Sequence, residues 1–216
     1  MNITATLVRD LRERTSAGMM DCKKALEESK GDFDKAVEWL RTKGIAKADK
    51  KSGRVAAEGL VHSYIHAGGR VGVLLEVNSE TDFLARTDGF TKFVADVAMH
   101  IAAMSPRFVK SDEIPQDVRD TEKRILLAKA AEEGKKPEML EKIVEGQLKK
   151  WSADICLLDQ KYVKNPDLTI EQYLKETIAS LGENVVIRRF IRYELGEGIE
   201  KPQDNFAEEV ARQVKG

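Results

Sequence analysis

A chain of 216 residues with 42% apolar side chains is long enough for one or two ordinary domains, and 36 basic against 37 acidic residues leave a formal net charge of −1. Charge that is dense (34% of residues) yet balanced excludes a disordered polyelectrolyte, and the near-neutral total argues against a dedicated nucleic-acid binder while leaving room for a local basic patch. Residues 59–69, the longest run without Asp, Glu, Lys or Arg, span eleven positions against the roughly 20 that a membrane helix needs. No signal-peptide h-region follows Met1, and Cys22 and Cys156 make neither a disulfide framework nor a metal-ligand spacing, so the expected location is cytoplasmic.

At the amino terminus, Ile3, Leu7, Val8 and Leu11 predict a helix capped by Asn2 and interrupted at Thr15-Ser16-Ala17-Gly18. A second helix begins near Met19, offers Cys22, Ala25 and Leu26 to one face, and ends at Gly31. Asp32 caps a third, where Phe33, Ala36, Val37 and Leu40 follow the i, i+3, i+4, i+7 rule and Gly44 suits its stop. Residues 1–45 thus read as a compact three-helix module. Residues 1–42 balance eight basic with eight acidic side chains, whereas 43–54 add five basic residues against Asp49 alone. That stretch, centred on 46–54, reads as a solvated linker in preference to a nucleic-acid arm, since no aromatic residues interleave with its lysines.

From Val55 the pattern turns to strand. Residues 60–66 and 71–77 flank Ala67-Gly68-Gly69-Arg70, a connection suited to a hairpin. Behind Asp88 a long helix carries Phe90, Phe93, Val94, Val97, Ile101 and Met104, and Pro106 ends it. Further helices are predicted over 115–133 and 137–151, with Pro137 in a first turn, and a short strand over 155–158. Thr169 and Gln172 form a capping-box pattern ahead of a helix ending at Gly182. Val185, Ile187, Ile191, Tyr193 and Leu195 alternate with polar neighbours as a strand, interrupted at Arg189 and Phe190. After Gly196-Glu197-Gly198, Phe206, Val210 and Val214 mark a last helix. The mixture predicts an α+β fold: a three-helix domain at 1–45, a linker at 46–54, an antiparallel-sheet core at 55–199 and a helical module at 200–216.

Catalytic chemistry is thinly represented. There is no phosphate-binding Gly-rich loop, no HExxH and no CxxC. His62 and His66 on one strand stand roughly 13 Å apart, too far to share a metal. His100 reads as a structural histidine, and Cys22 and Cys156 as small hydrophobes. No catalytic residue, metal or cofactor is expected. Two places look like contact surfaces instead. Gly18-Met19-Met20 sits at the junction of the first two helices, where the methionines either pack in the bundle or face a partner. In Thr81-Asp82-Phe83-Leu84, Thr81 and Asp82 can cap a turn of helix with Phe83 on it. Spacing alone leaves Phe83 either exposed there or, seven positions before Phe90, on a core face.

Three motifs carry a resemblance. Residues 11–26, from Leu11-Arg12 through Thr15-Ser16-Ala17-Gly18-Met19-Met20 to Ala25-Leu26, resemble the amino-terminal signature of the bacterial elongation factor Ts family. Residues 81–86, Thr81-Asp82-Phe83-Leu84-Ala85-Arg86, resemble its Thr-Asp-Phe-Val element, and residues 190–198 resemble its carboxy-terminal core strand and turn. Leu84 stands where valine is usual and Ser16 where glycine is common. The resemblance implies a ubiquitin-associated-like amino-terminal domain, an α+β core and a carboxy-terminal helical module. It implies guanine-nucleotide exchange on the GTPase elongation factor Tu, without covalent chemistry. Asp82 and Phe83 would intrude near the magnesium site, with Thr81 and Leu84 completing the element. Arg12, Met19 and Met20 would form the amino-terminal contact, and Phe206 and Val210 a carboxy-terminal one. Longer members have two core halves and an inserted helical hairpin. This chain resembles the short type with one core half, which implies a homodimer through the core sheet. Two readings from other classes stand beside it: a helical-domain adaptor that binds a protein through residues 1–45, and an RNA-associated protein using residues 43–54.

Overall fold

The computed structural model describes residues 3–15, 17–134 and 137–200. Helices α1 (Ala5–Thr15), α2 (Met19–Glu28) and α3 (Phe33–Asp49) are followed by strands β1 (Glu58–Ile65) and β2 (Val71–Ser79), the single turn α4 (Asp82–Ala85) and the long helix α5 (Asp88–Met104). Then come α6 (Gln116–Glu132), α7 (Pro137–Ile155), the short strands β3 (Lys161–Tyr162) and β4 (Asn165–Thr169), α8 (Ile170–Leu181) and β5 (Val185–Glu194). This is an α+β fold with helices leading, as the hydropathy pattern predicts.

The amino-terminal bundle closes over the stripe residues Val8, Leu11, Cys22, Ala25, Leu26, Ala36 and Leu40, all buried. Thr4 caps α1, its hydroxyl accepting from the Leu7 N–H at 3.3 Å; Asn2, the expected cap, lies outside the described residues. Gly31 (φ 83°) turns the chain after α2, and the Asp32 carboxylate caps α3 by accepting from the Lys35 N–H at 3.1 Å. Gly44 does not stop that helix. A Cβ placed there would come within 3.3 Å of Ala179 Cβ, so the glycine serves close approach of α3 to α8 and the helix continues to Asp49. Ala48, inside the basic stretch, is buried in the main core. Arg41 reaches Gln172 at 3.2 Å and Glu176 at 3.5 Å, and Lys175 pairs with Asp49 at 3.3 Å, tying α3 to α8. The basic stretch is therefore packed helix at its start rather than a free connector.

The main sheet has the order β1-β2-β5, every pair antiparallel. Its inner face, Val73, Leu75, Val77, Val185 and Ile187, is buried against Phe90, Phe93, Val94, Val97 and Ile101 of α5. The interruption at Arg189 has a structural cause. Glu76 pairs with Arg189 but Val77 with Ile187, leaving Arg188 as the extra residue of a bulge. Both guanidiniums then reach the Glu76 carboxylate, Arg189 at 2.6 Å and Arg188 at 3.4 Å. On the outer face Val61, Ile65, Leu74, Val186, Ile191 and Tyr193 are exposed.

Helix α8 is opened by the capping box at Thr169 and Gln172 and closed by Gly182 in the left-handed region (φ 85°). It is tied to α5 through Asp96, which accepts from the Tyr173 hydroxyl at 3.0 Å and the Lys164 ammonium at 2.6 Å. Helices α6 and α7 pack on each other as an antiparallel hairpin whose apolar stripe is only partly covered, with Ile125 and Met139 exposed. The strand expected at 155–158 is instead the end of α7, a lone bridge between Phe108 and Cys156, and a 3-10 turn at Leu157–Asp159. The Cys156 N–H donates to the Ser152 carbonyl at 3.0 Å, which carries the helical ladder to that end, and the Ile155 carbonyl is taken by the Arg107 N–H at 2.8 Å. Among the described residues no helix is long and apolar enough to cross a membrane.

Candidate functional site

The segment between the hairpin and the long helix is built from caps. The Thr81 backbone is extended (φ −127°, ψ 154°), and its hydroxyl accepts from the Leu84 N–H at 3.3 Å, opening α4. Four residues cannot sustain a helix on their own, because nucleation costs more than one turn returns. Tertiary contacts supply the rest. Leu84 and Ala85 are buried in the main core, and the Thr87 hydroxyl donates to the Leu84 carbonyl at 2.8 Å while capping α5. The same hydroxyl accepts from the Phe90 N–H at 3.4 Å, so one threonine ends α4 and starts α5. The chain leaves helix at Arg86 and Thr87 and re-enters it at Asp88, so Phe83 and Phe90 do not share a face.

The four residues of the element consequently do different work. Leu84 anchors the turn and Thr81 caps it. Asp82 pairs with Arg86 at 2.9 Å, one helical turn on. Phe83 points away from the core and is 78% exposed. A phenylalanine so exposed, on a turn fixed on both sides, is apolar surface offered rather than stored.

Two residues from the α8–β5 junction brace this turn, and no sequence signal links them to it. Glu183 accepts from the Thr81 N–H at 3.0 Å and from the Thr81 hydroxyl at 2.8 Å. Asn184, buried, donates its N–H to Glu80 at 2.6 Å and its side-chain amide to the Arg54 carbonyl at 2.8 Å. Arg54 in turn pairs with Glu80 at 3.4 Å. Lys51 lies in the same neighbourhood, its ammonium held below the usual lysine range by burial and then by Arg54, with Glu80 and Glu183 pulling the other way.

The second set of sequence candidates lies on the amino-terminal bundle. Met20 is 76% and Met19 45% exposed at the start of α2, and Arg12 is exposed on α1. Cys22, Ala25 and Leu26 fill the bundle interior, so the space that either methionine would occupy is already taken. Phe206 and Val210 lie outside the described residues. The structure joins Thr81 to Leu84 in one element and leaves Arg12, Met19 and Met20 on another. Elsewhere, burial pushes the His100 imidazole and the two thiols away from their charged forms. Among the described residues no three His, Cys, Asp or Glu side chains converge as a metal site.

What the fold and site define is an α+β protein with a leading helical bundle that presents apolar side chains, Phe83 on one element and Met19 and Met20 on another, from braced helical turns. Comparison with known proteins gives this class its place. The family model for elongation factor Ts matches residues 5–197. Elongation factor Ts of Geobacter metallireducens is 59% identical over 211 residues, covering 98% of each chain. That of Acetivibrio thermocellus is 55% identical over 214 residues, 99% of this chain and all of the relative. That of Alkaliphilus metalliredigens is 58% identical over 214 residues, 99% of each. The chain belongs to the elongation factor Ts family, a family of translation elongation factors.

Proposed function

We propose that this chain is a guanine-nucleotide exchange factor for elongation factor Tu, acting by inserting Asp82 and Phe83 near the magnesium site and staying bound until GTP arrives. The observation that carries the reading is Phe83, exposed at the tip of a turn whose other side chains are committed to holding it. Exchange needs no covalent chemistry. The factor must bind the nucleotide-free GTPase better than the nucleotide-bound one, and each tenfold gain in release requires about 1.4 kcal/mol. Burying Phe83 in the opened GTPase supplies part of that difference. Magnesium and phosphate contacts supply much of the nucleotide's grip, which makes the metal a sensitive point of attack. The Asp82 carboxylate is held by Arg86 in the free chain and can exchange that partner for donors of the GTPase or repel phosphate-side charge.

Arg12, Met19 and Met20 form the amino-terminal contact in this reading, and Phe206 and Val210 a carboxy-terminal one. The division is a three-helix, ubiquitin-associated-like unit at 1–45, a segment at 46–54 that begins as the packed last turn of α3 and then leads into the core, the core at 55–199 and a helical module at 200–216, working in the cytoplasm. A homodimer through the core sheet completes the proposal, supported by the exposed outer-face residues Ile65, Leu74, Ile191 and Tyr193.

Linkage gives the test. The affinity of this chain for elongation factor Tu is measured with the GTPase nucleotide-free and GDP-saturated. Exchange requires tighter binding to the nucleotide-free form, by the factor through which this chain weakens GDP. Equal affinities would leave an adaptor without exchange activity.

A further inference from the structure

The last paired residues of the central ladder are Ser79 and Val185. Continued by one and two positions, that register sets Glu80 beside Asn184 and Thr81 beside Glu183. The backbone ladder does not continue there; side-chain carboxylates take it over. The Asn184 N–H donates to Glu80 at 2.6 Å, and the Thr81 N–H donates to Glu183 at 3.0 Å. Each strand end thus gives its amide to the carboxylate opposite, and the β2 chain is free to leave the sheet and turn into α4.

Glu183 does more than close the ladder. Its other oxygen accepts the Thr81 hydroxyl proton at 2.8 Å. That bond orients the hydroxyl so that a lone pair faces the Leu84 N–H, the one side-chain cap that α4 has. Gly182, in the left-handed region after α8, sets the direction in which Glu183 leaves the helix.

We propose that Glu183 is a positioning residue for nucleotide exchange, acting through Thr81 to keep the Phe83 turn ordered before it meets the GTPase. This rests on the exchange reading above. An exposed aromatic on a loose loop would have to be ordered during insertion, and the cost would fall on the step that expels nucleotide. With Glu183 in place that order is present in the free protein. In this reading the residue acts through Thr81 alone, and its effect belongs to the maximal rate rather than to encounter.

The test compares the unmodified chain with Glu183→Ala and Glu183→Gln in labelled-GDP release from elongation factor Tu over a range of factor concentrations. Amide hydrogen exchange at Leu84 is followed in the free proteins. Glu183→Ala removes both hydrogen bonds to Thr81 and lowers the maximal rate at least about tenfold, the worth of one hydrogen bond to a charged group, with the half-saturating concentration within about twofold. Its Leu84 amide exchanges about tenfold faster. Glu183→Gln keeps the acceptor for the hydroxyl but sets an NH₂ group against the Thr81 N–H, and falls between the two. A maximal rate within about twofold of the unmodified chain, or an unchanged Leu84 amide, overturns the proposal. If Glu183→Ala unfolds, Glu183→Gln decides by the same two readouts. If the unmodified chain does not accelerate release, the exchange reading fails instead, and the Leu84 amide alone shows whether Glu183 braces the turn.

Discussion

Replacing Phe83 by alanine separates function from folding, because the ring contributes almost nothing to the free fold. At 78% exposure its truncation is a surface change, expected to move stability by no more than about 0.5 kcal/mol. In a complex that buries the ring, the newly covered fraction is about four-fifths of a whole side chain. Full burial of a phenylalanine is worth about 1.5–3 kcal/mol, so the loss is about 1.2–2.3 kcal/mol, or roughly seven- to fiftyfold in stimulated release. The assay is displacement of labelled GDP from elongation factor Tu at saturating factor, with thermal melts of the free proteins beside it. Phe90→Ala is the contrast, since Phe90 is fully buried and its removal costs about 3–5 kcal/mol. For a chain of this length that lowers the melting temperature by roughly 6–20 °C, against about 2 °C or less for Phe83→Ala. If Phe83→Ala melts like Phe90→Ala, Phe83 is core and the reasoning fails. It fails equally if release is unchanged.

Three further outcomes follow from the same structure. His100 is buried with its Nδ1 accepting from the Val163 N–H at 3.3 Å and its Nε2 bonded to Gln160 at 3.0 Å, and burial holds its pKa below the ordinary 6.5. The unfolded chain therefore takes up the proton first, and this contribution to stability is complete above pH 6.5 and lost as pH falls below it. Burial raises Glu176 and Asp159, which work in the opposite direction on acidification, so the readout is the difference from His100→Gln. That variant should flatten the fall in melting temperature between about pH 7 and 5, and parallel profiles would contradict the assignment. For the proposed homodimer through the outer face of the sheet, Leu74→Asp places a charge at the contact, and sedimentation velocity should show two chains for the unmodified protein and one for the variant; the same mass for both contradicts a dimer through that face. Gly59→Ala sets a Cβ against the Val77 carbonyl oxygen at a φ of 129°, and should cost at least about 2 kcal/mol in denaturant unfolding, with a near-neutral result contradicting the strand geometry.

Most of the helices and the three main strands were legible because their apolar spacing coincides with the faces that become buried: Phe90, Phe93, Val97 and Ile101 on α5, Val73, Leu75 and Val77 on β2. Caps with a local partner were legible for the same reason, Asp32 with Lys35 and Thr169 with Gln172. Gly44 misled because a glycine in a helix has two uses, stopping it or admitting a neighbour, and the neighbour here is Ala179 in a distant helix. Ribbon β3–β4 escaped because two- and five-residue strands with mixed polarity carry no alternation. At the site, Thr81-Asp82-Phe83 could be read as a capped turn from its own residues, but the exposure of Phe83 could not. It depends on Thr87 ending α4 and starting α5 with one hydroxyl. The Glu183 brace was invisible, since it joins residues 102 positions apart through side chains that look like ordinary surface charge.

Exchange is read from the first-order release of labelled GDP from elongation factor Tu, in magnesium and excess unlabelled nucleotide, as this chain is added. Exchange through the Phe83 turn gives a rate that climbs with concentration, reaches a plateau, and loses most of its increment when Phe83 is alanine. A release rate that stays at its unassisted value at every concentration would contradict it.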